Sequence, residues 1–479
     1  MNETNISAEV LTNYPAVDES ALDALLAREL AASRLKLVVL DDDPTGVQTV
    51  HDVSVYTDWS EESVRRGFAE ENRLFFLLTN SRGFTAEHTK AVHREIAETV
   101  CRVSREMDTP FLLLSRSDST LRGHYPLETE TLRDTIRESG GGEIDGEVLC
   151  PFFKEGGRYT LDNVHYVRYG DELVPAGRTE FARDKTFGYR ASDLREYIEE
   201  KTGGALRREE VVTISLDELR SMNIDGVAAK LRAVRDYGRI VVNAADYCDV
   251  KAFSVALYRA AEAGKRFLFR TAAGLVKVMG GVSDRALLTR GEMVKRETSC
   301  GGLVVVGSHT KKTTEQLREL LALPDTEAVE FRSDAVLDGD DALFAAAAEA
   351  SAHCGEIIHS GKTAVCYTAR RLLSVENDTP EDALRRSVKI SEGVCAVVTG
   401  LDITPAFIVA KGGITSSDVG VRALGVRRAL VLGQLQPGVP VWETGAESRF
   451  PQTPYVVFPG NVGEADTLKV AVAILQNRT

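Results

Sequence analysis

The sequence predicts an α/β protein of two domains, each a mostly parallel or mixed sheet flanked by helices, with an active site in the cleft between them. Three observations carry this expectation. The chain has 479 residues, more than one ordinary core accommodates. Short runs of Val, Leu, Ile and Phe alternate with stretches of helical periodicity, the pattern of parallel strands joined by crossover helices. A polar, Gly-containing stretch from Met279 to Gly302 separates two such series.

Taken in order, residues 1–34 read as a polar lead-in and a helix, DESALDALLARELAAS, with Asp18 or Ser20 as cap. Strands are predicted over Leu35 to Leu40, Leu74 to Thr79, Phe111 to Leu114, Val148 to Cys150, Val211 to Ile214, Ile240 to Asn243 and Phe267 to Arg270. Helical stretches such as AEHTKAVHREIAETVCRVSREM and SVALYRAAEAG lie between them, and the set spans a first domain, 35–285. A second domain, 300–479, begins with a strand over Leu303 to Val306 and a helix from Thr313. KTAVCYTA, a helix in PEDALRRSVKISEGVCAVVTG, the strand PAFIVA and the runs RRALVLGQLQPGVPVWE and PYVVFPGN follow.

Composition narrows the function classes. A hydrophobic share of 43% and a charged share of 27% are those of a soluble globular protein, and a net charge of −14 argues against a nucleic-acid backbone or an anionic membrane as partner. The seven cysteines are scattered and form no CxxC pair, which indicates neither a disulfide framework nor a structural zinc site. No run of about 18 apolar residues occurs, and Met1 to Ser20 is polar and acidic, unlike a signal peptide. The expected location is the cytoplasm.

The chemistry gathers where strands end. LDDDPTGVQTVHD places Asp41, Asp42 and Asp43 directly after an apolar run, at the usual ligand position of an open α/β sheet, although Asp, Pro and Gly also form plain turns. LLLSRSDSTLRGHYPLE repeats the arrangement with Arg116, Asp118, Ser119, Thr120 and Arg122. Guanidinium groups match carboxylates bidentately, and Asp and hydroxyl side chains match sugar hydroxyls, so the set suits a polyhydroxy acid. LLTNSRGF adds Asn80, Ser81 and Arg82, and FFKEGGRYTLDN adds Glu155, Arg158 and Asn163. Each cluster alone is a cap or a turn; four at one sheet edge make a site. His51 and His124 flank two of them, and a lone His is more often an ordinary hydrogen-bonded residue.

The second half suits phosphate. AKGGITSSDVGVRALG runs from a strand into Gly412 and Gly413, then Thr415, Ser416 and Ser417 opening a helix, where backbone N–H groups and the helix dipole favour anions. VVVGSHTKKTTEQL, with Ser308, has the same form, and FPGNVGEADTL supplies Gly460, Asn461 and Gly463. A Walker A loop, GxxxxGK[ST], is absent. Any one Gly-rich turn reads most simply as a tight-turn requirement.

In order, DDDPTG, RSDSTLRG, GSHTKKTTEQL, AKGGITSSDV, PGVPVW and FPGNVGE resemble the four-carbon acid sugar kinase family, first catalogued as a domain of unknown function. The resemblance covers nearly the whole chain. It implies a sugar-acid-binding N-terminal domain and a nucleotide-binding C-terminal domain, with ATP and Mg²⁺ phosphorylating the terminal hydroxyl of threonate, erythronate or their 3-oxo forms. Asp42, Asp43, Thr45 and Gly46 match the acidic loop, Arg116, Asp118, Ser119 and Arg122 the second substrate loop, and Gly412, Gly413, Thr415 and Ser416 the nucleotide loop. Asp42 or Asp43 is then the group that orients the hydroxyl, and Arg116, Arg122 and Arg82 hold the carboxylate. Shorter members more often have a non-acidic residue at the position of Asp41 and lack residues 1–34, which leaves substrate choice open. The expected partners are the sugar acid and ATP, compatible with a homodimer. The competing reading is a metal-dependent aldolase or hydrolase with Asp41 to Asp43 as ligands, and a third is a ligand-binding regulator. The second anion site favours the kinase. Neither the Mg²⁺ ligands nor the adenine contacts are assignable from sequence.

Overall fold

The computed structural model describes residues 4–477 apart from 371, 372, 374, 376, 377 and 461. The chain divides into two compact units, Met1–Thr49 with Asp58–Asp284, and Val50–Thr57 with Arg285–Thr479.

The first unit is built on seven parallel strands in the order Val212–Ile214, Gly238–Val242, Gly146–Cys150, Phe267–Thr271, Phe111–Arg116, Lys36–Asp41 and Leu74–Leu78. These are the seven runs read from the sequence. In five of them every residue is buried, which is why they read as near-continuous apolar stretches, as a sheet covered on both faces requires. The helix Ala86–Glu106 covers part of it, started by the Thr85 side chain, which accepts from the His88 N–H.

A second, antiparallel sheet orders Ile6–Ser7, Glu172–Pro175, Val164–Tyr169 and Arg158–Leu161. The strand-level reading did not include it. Its signal was a two-residue turn, Asp162-Asn163, with both residues at left-handed φ, 48° and 69°, a conformation that Asn and Asp tolerate best after Gly. The lead-in is built into this unit. Ile6 and Ser7 pair with Leu173 and Glu172. The helix Glu19–Ala32 is capped by Asp18, which accepts from the Ala21 N–H, and buries Leu22 and Leu26. Ion pairs from Asp23 to Lys251 and from Glu29 to Arg259 fix it to the helix Tyr247–Glu262.

The second unit has a mixed sheet in the order Val53–Tyr56, Arg428–Gln436, Val439–Thr444, Pro454–Phe458, Ile408–Lys411, Leu303–Val306, Thr363–Thr368 and Thr326–Phe331. Pairings among the first four are antiparallel and the rest are parallel. Val304, Val306, Val409, Val456, Phe458 and Leu468 are among its core. Thr326–Phe331 escaped the reading because its residues, TEAVEF, are polar on one side and only Val329 and Phe331 are buried. Two placements differ from the stretch expected to form the first domain. Val53–Tyr56 lies within it in sequence yet pairs with Arg428–Val431 in this unit. Arg285, the last residue of that stretch, also belongs here.

All seven cysteines are free thiols. No helix among the described residues is long and apolar enough to cross a membrane.

Candidate functional site

In the first unit, Asp41 lies in register with Leu78 on one side and Arg116 on the other. The three loops that follow these adjacent parallel strands therefore start side by side. Backbone bonds lace them together: Thr79 N–H to Asp41 O at 2.8 Å, and Asp42 N–H to Arg116 O at 3.3 Å. Asp42, Asp43, Thr45, Gly46, Asn80, Ser81, Arg82, Arg116, Asp118, Ser119 and Arg122 all stand on these loops or strand ends.

Each acid has a cationic partner, and Asp42 and Asp43 share one. Arg116 Nη1 donates to Asp41 at 3.3 Å. Arg82 forks onto Asp42, with Nη2 at 2.6 Å and Nε at 3.1 Å, and its Nη1 reaches Asp43 at 3.3 Å. Asp43 also accepts from the Thr45 N–H at 2.9 Å and the Thr45 hydroxyl at 2.5 Å. Asp118 accepts from Arg122 Nε at 2.7 Å and from the Thr120 hydroxyl. Gly46 is obligatory because a Cβ there would stand 1.8 Å from the Asp41 carboxylate.

The surroundings separate the acids electrically. Burial pushes Asp41 up to about 7, with Arg116 opposing and the charges of Asp42 and Asp43 adding. Burial raises Asp42 as well, against the pull of Arg82. Burial works the same way on Asp43, but Arg82 and the two Thr45 hydrogen bonds hold it below the ordinary carboxylate value. The side chains of Asp41 and Asp42 are 2% and 3% exposed, that of Asp43 20%. Asp43 is thus the most exposed of the three acids and the one held below its ordinary pKa.

Several predicted residues serve the frame. Ser81 is fully buried, and its hydroxyl faces Glu128 at 3.4 Å. Asn80 sits at left-handed φ, 54°, turning the loop. The Ser119 carbonyl accepts from His165 at 2.8 Å. His51 pairs with Asp52 at 2.7 Å, and His124 bonds the Phe84 carbonyl at 3.0 Å. Two residues the sequence did not mark belong to the same edge. Arg270 donates to the Arg122 carbonyl at 2.6 Å. Burial works to raise Glu128, yet Arg270, His93 and His124 hold it below its ordinary value. Glu128 stands in the first turn of a helix, where acids are commonplace, so nothing distinguished it.

The second unit repeats the plan. Lys411 is in register with Phe458 and with Val306, so the loops carrying Gly412, Gly460 and Ser308 emerge together. Gly412 has φ +116°, and a Cβ at Gly307 would lie 2.3 Å from the Thr415 hydroxyl, so both turns depend on glycine. Gly413 opens the short helix Gly413–Asp418. Ser308 accepts from the Thr313 hydroxyl at 3.2 Å. Ser416 is fully buried and donates to the Ala410 carbonyl at 2.8 Å, which closes the turn from within. Asn461 lies outside the described residues.

Cations here bind the main chain. Lys411, fully buried, donates to Pro459 O at 2.6 Å and Gly460 O at 3.1 Å. Burial, with Lys312 adding, brings its pKa down to about 7. Lys312 donates to Gly463 O at 3.0 Å, and Arg370 to Ser308 O and, at 3.0 Å, to the Thr314 hydroxyl. Among the described residues, Nε and Nη1 of Arg370 are buried without a partner. The predicted strand ends at Ala410; the structure extends it to Lys411, a lysine closing an otherwise apolar run. Among the described residues no group of three or more His, Cys, Asp or Glu could hold a metal ion.

Comparison with known proteins agrees with this division. No curated protein sequence matches the chain significantly. Among solved structures, a candidate tRNA synthase from Salmonella typhimurium LT2 superposes with a TM-score of 0.67 at 16% identity, over 91% of this chain and 98% of that one. A Haemophilus influenzae protein of the DUF1537 family superposes with a TM-score of 0.59 at 15% identity, over 91% and 100%. At such identities these show a shared fold. Residues 37–279 match a family described as a sugar-binding N-terminal domain, and residues 303–468 one described as a nucleotide-binding C-terminal domain. With these two domains in order over most of its length, the chain belongs to the four-carbon acid sugar kinase family.

Proposed function

We propose that the protein is an ATP-dependent kinase that phosphorylates the terminal hydroxyl of a four-carbon or branched sugar acid, such as threonate, erythronate or a 3-oxo-tetronate. The observation that carries the reading is Asp43, the most exposed of three strand-end acids and held ionised by Arg82 and Thr45, in a chain whose other domain is nucleotide-binding. In this reading Asp43 accepts a hydrogen bond from the substrate hydroxyl and orients it. As the hydroxyl oxygen attacks the γ-phosphorus and the bond to ADP breaks, the proton passes to Asp43. Little base strength is needed, because phosphoryl transfer depends chiefly on position and charge. Asp42, the other candidate, has both oxygens in the Arg82 fork, which favours a role in holding that arginine. In the second unit Gly412, Gly413 and Thr415 would line the phosphates, with Ser308, Gly460 and Gly463 on the flanking loops.

Asp41 and Asp42 face Arg116 and Arg82, an arrangement that suits an ion pair better than a metal ligand set. The residues present do not fit a dedicated Mg²⁺ cage, and the ion would arrive on the nucleotide phosphates.

The test is an ADP-release assay with Mg-ATP against four-carbon and branched aldonates and their 3-oxo forms. Turnover of one or a few acids is expected. No turnover across the panel, with Mg-ATP bound, would remove the substrate class; no binding of Mg-ATP would remove the kinase reading.

A further inference from the structure

The guanidinium groups at the Asp41 to Asp43 edge already have partners. Arg82 holds Asp42 and Asp43, Arg116 holds Asp41, and Arg122 holds Asp118 and lies 3.8 Å from Asp184. Arg270 donates to a carbonyl. Arg158 differs. It begins a strand of the antiparallel sheet, its guanidinium has no ion pair or hydrogen bond among the described residues, and its Nε is buried without a partner.

It nevertheless belongs to this edge. Arg158 and Arg122 both pack on the ring of Phe181, with guanidinium carbons 5.6 and 5.1 Å from the centroid. Burial draws Arg158 below the ordinary guanidinium pKa, while Asp118 acts the other way and Arg122 adds to the fall. A guanidinium partly removed from water and lacking an anion loses hydration without a compensating bond, a cost that a bound carboxylate reverses with two parallel N–H···O contacts.

We propose that Arg158 receives the carboxylate of the substrate, with Arg122 beside it and the Phe181 ring as their common platform. The inference rests on the sugar-acid reading and changes its carboxylate assignment, since Arg82 and Arg116 are occupied by the protein's own acids. It also gives the antiparallel sheet a purpose: to carry one cation to the edge of the parallel one and so select acids over neutral sugars.

The test uses the full chain, an aldonate that the wild type turns over, and the neutral amide of that acid. Arg158→Gln is expected to raise KM for the acid roughly 10- to 100-fold, to leave KM for ATP unchanged, and to erase the preference for acid over amide. Arg158→Lys, which keeps the charge and loses the fork, is expected to fall between. Equal losses toward acid and amide, or an unchanged preference, would overturn the proposal. If Arg158→Gln does not fold, Arg158→Lys decides alone: a KM raised for the acid only supports the proposal, and a KM raised alike for both overturns it. Should the wild type turn over no acid while still binding Mg-ATP, the substrate class fails separately. The carboxylate assignment is then judged by the thermal shift that threonate or erythronate induces, which must be present in wild type and lost in Arg158→Gln.

Discussion

In the first unit the arginines at the strand ends hold carboxylates: Arg82 on Asp42, Arg116 on Asp41, Arg122 on Asp118. In the second, at the corresponding strand ends, Lys411, Lys312 and Arg370 hold main-chain carbonyls. The difference teaches how one scaffold serves two kinds of ligand. Paired side-chain charges make a shape-specific surface whose members cannot be removed singly, because each would strand a buried opposite charge. Carbonyls drawn toward lysines leave loops shaped by backbone, where glycines matter more than charged groups.

Five measurements break or sharpen that contrast. The largest effect is expected from Asp43→Asn, which should lower kcat roughly 10²- to 10⁴-fold while the thermal shift from Mg-ATP is kept; near wild-type turnover would remove Asp43 from the chemistry. Arg82→Met strands Asp42, whose side chain is 3% exposed, and should cost about 3–5 kcal/mol in denaturant unfolding. A loss under 1 kcal/mol would mean that the pair behaves as a surface contact. Gly307→Ala brings a methyl group to 2.3 Å from the Thr415 hydroxyl and should cost about 1–3 kcal/mol. Its nucleotide-induced shift should fall while the sugar-acid shift stays; loss of both would erase the contrast between the units.

The fourth measurement is a pH series. Asp41 titrates near 7 in the fold against 3.8 for an ordinary aspartate. Its folded value is raised, so the stability it contributes is fully present below about 3.8 and is lost as pH rises through about 7. Asp41→Asn should therefore gain stability relative to wild type between pH 4 and pH 8, read as Tm difference; a flat difference would show that Asp41 is ionised throughout. The smallest effect belongs to Asp18→Ala, which removes the cap of the lead-in helix and should cost about 1 kcal/mol without altering either ligand shift.

How much of this the sequence disclosed follows from where each force acts. Parallel strands buried on both faces are apolar throughout, so Lys36–Asp41 and its neighbours stood out, and so did the polar residues at their ends. The antiparallel strands are short and partly exposed, and only the Asp162-Asn163 turn marked them. Partner choice was hidden because it depends on rotation about single bonds. Ser81 and Ser416 resemble binding residues in sequence, yet both hydroxyls turn inward. Arg82 and Arg158 look equivalent in sequence, and only the fold distinguishes the paired cation from the one without a partner among the described residues.

The strand Val53–Tyr56 has a practical corollary for anyone dissecting the protein. The chain passes between the units three times, at 49/50, 57/58 and 284/285, so no single cut yields both halves whole. A fragment starting at residue 285 would display the bare hydrogen-bonding edge of Arg428–Gln436, an invitation to intermolecular pairing. A nucleotide-binding fragment should carry residues 50–57 on a tether to pair that edge.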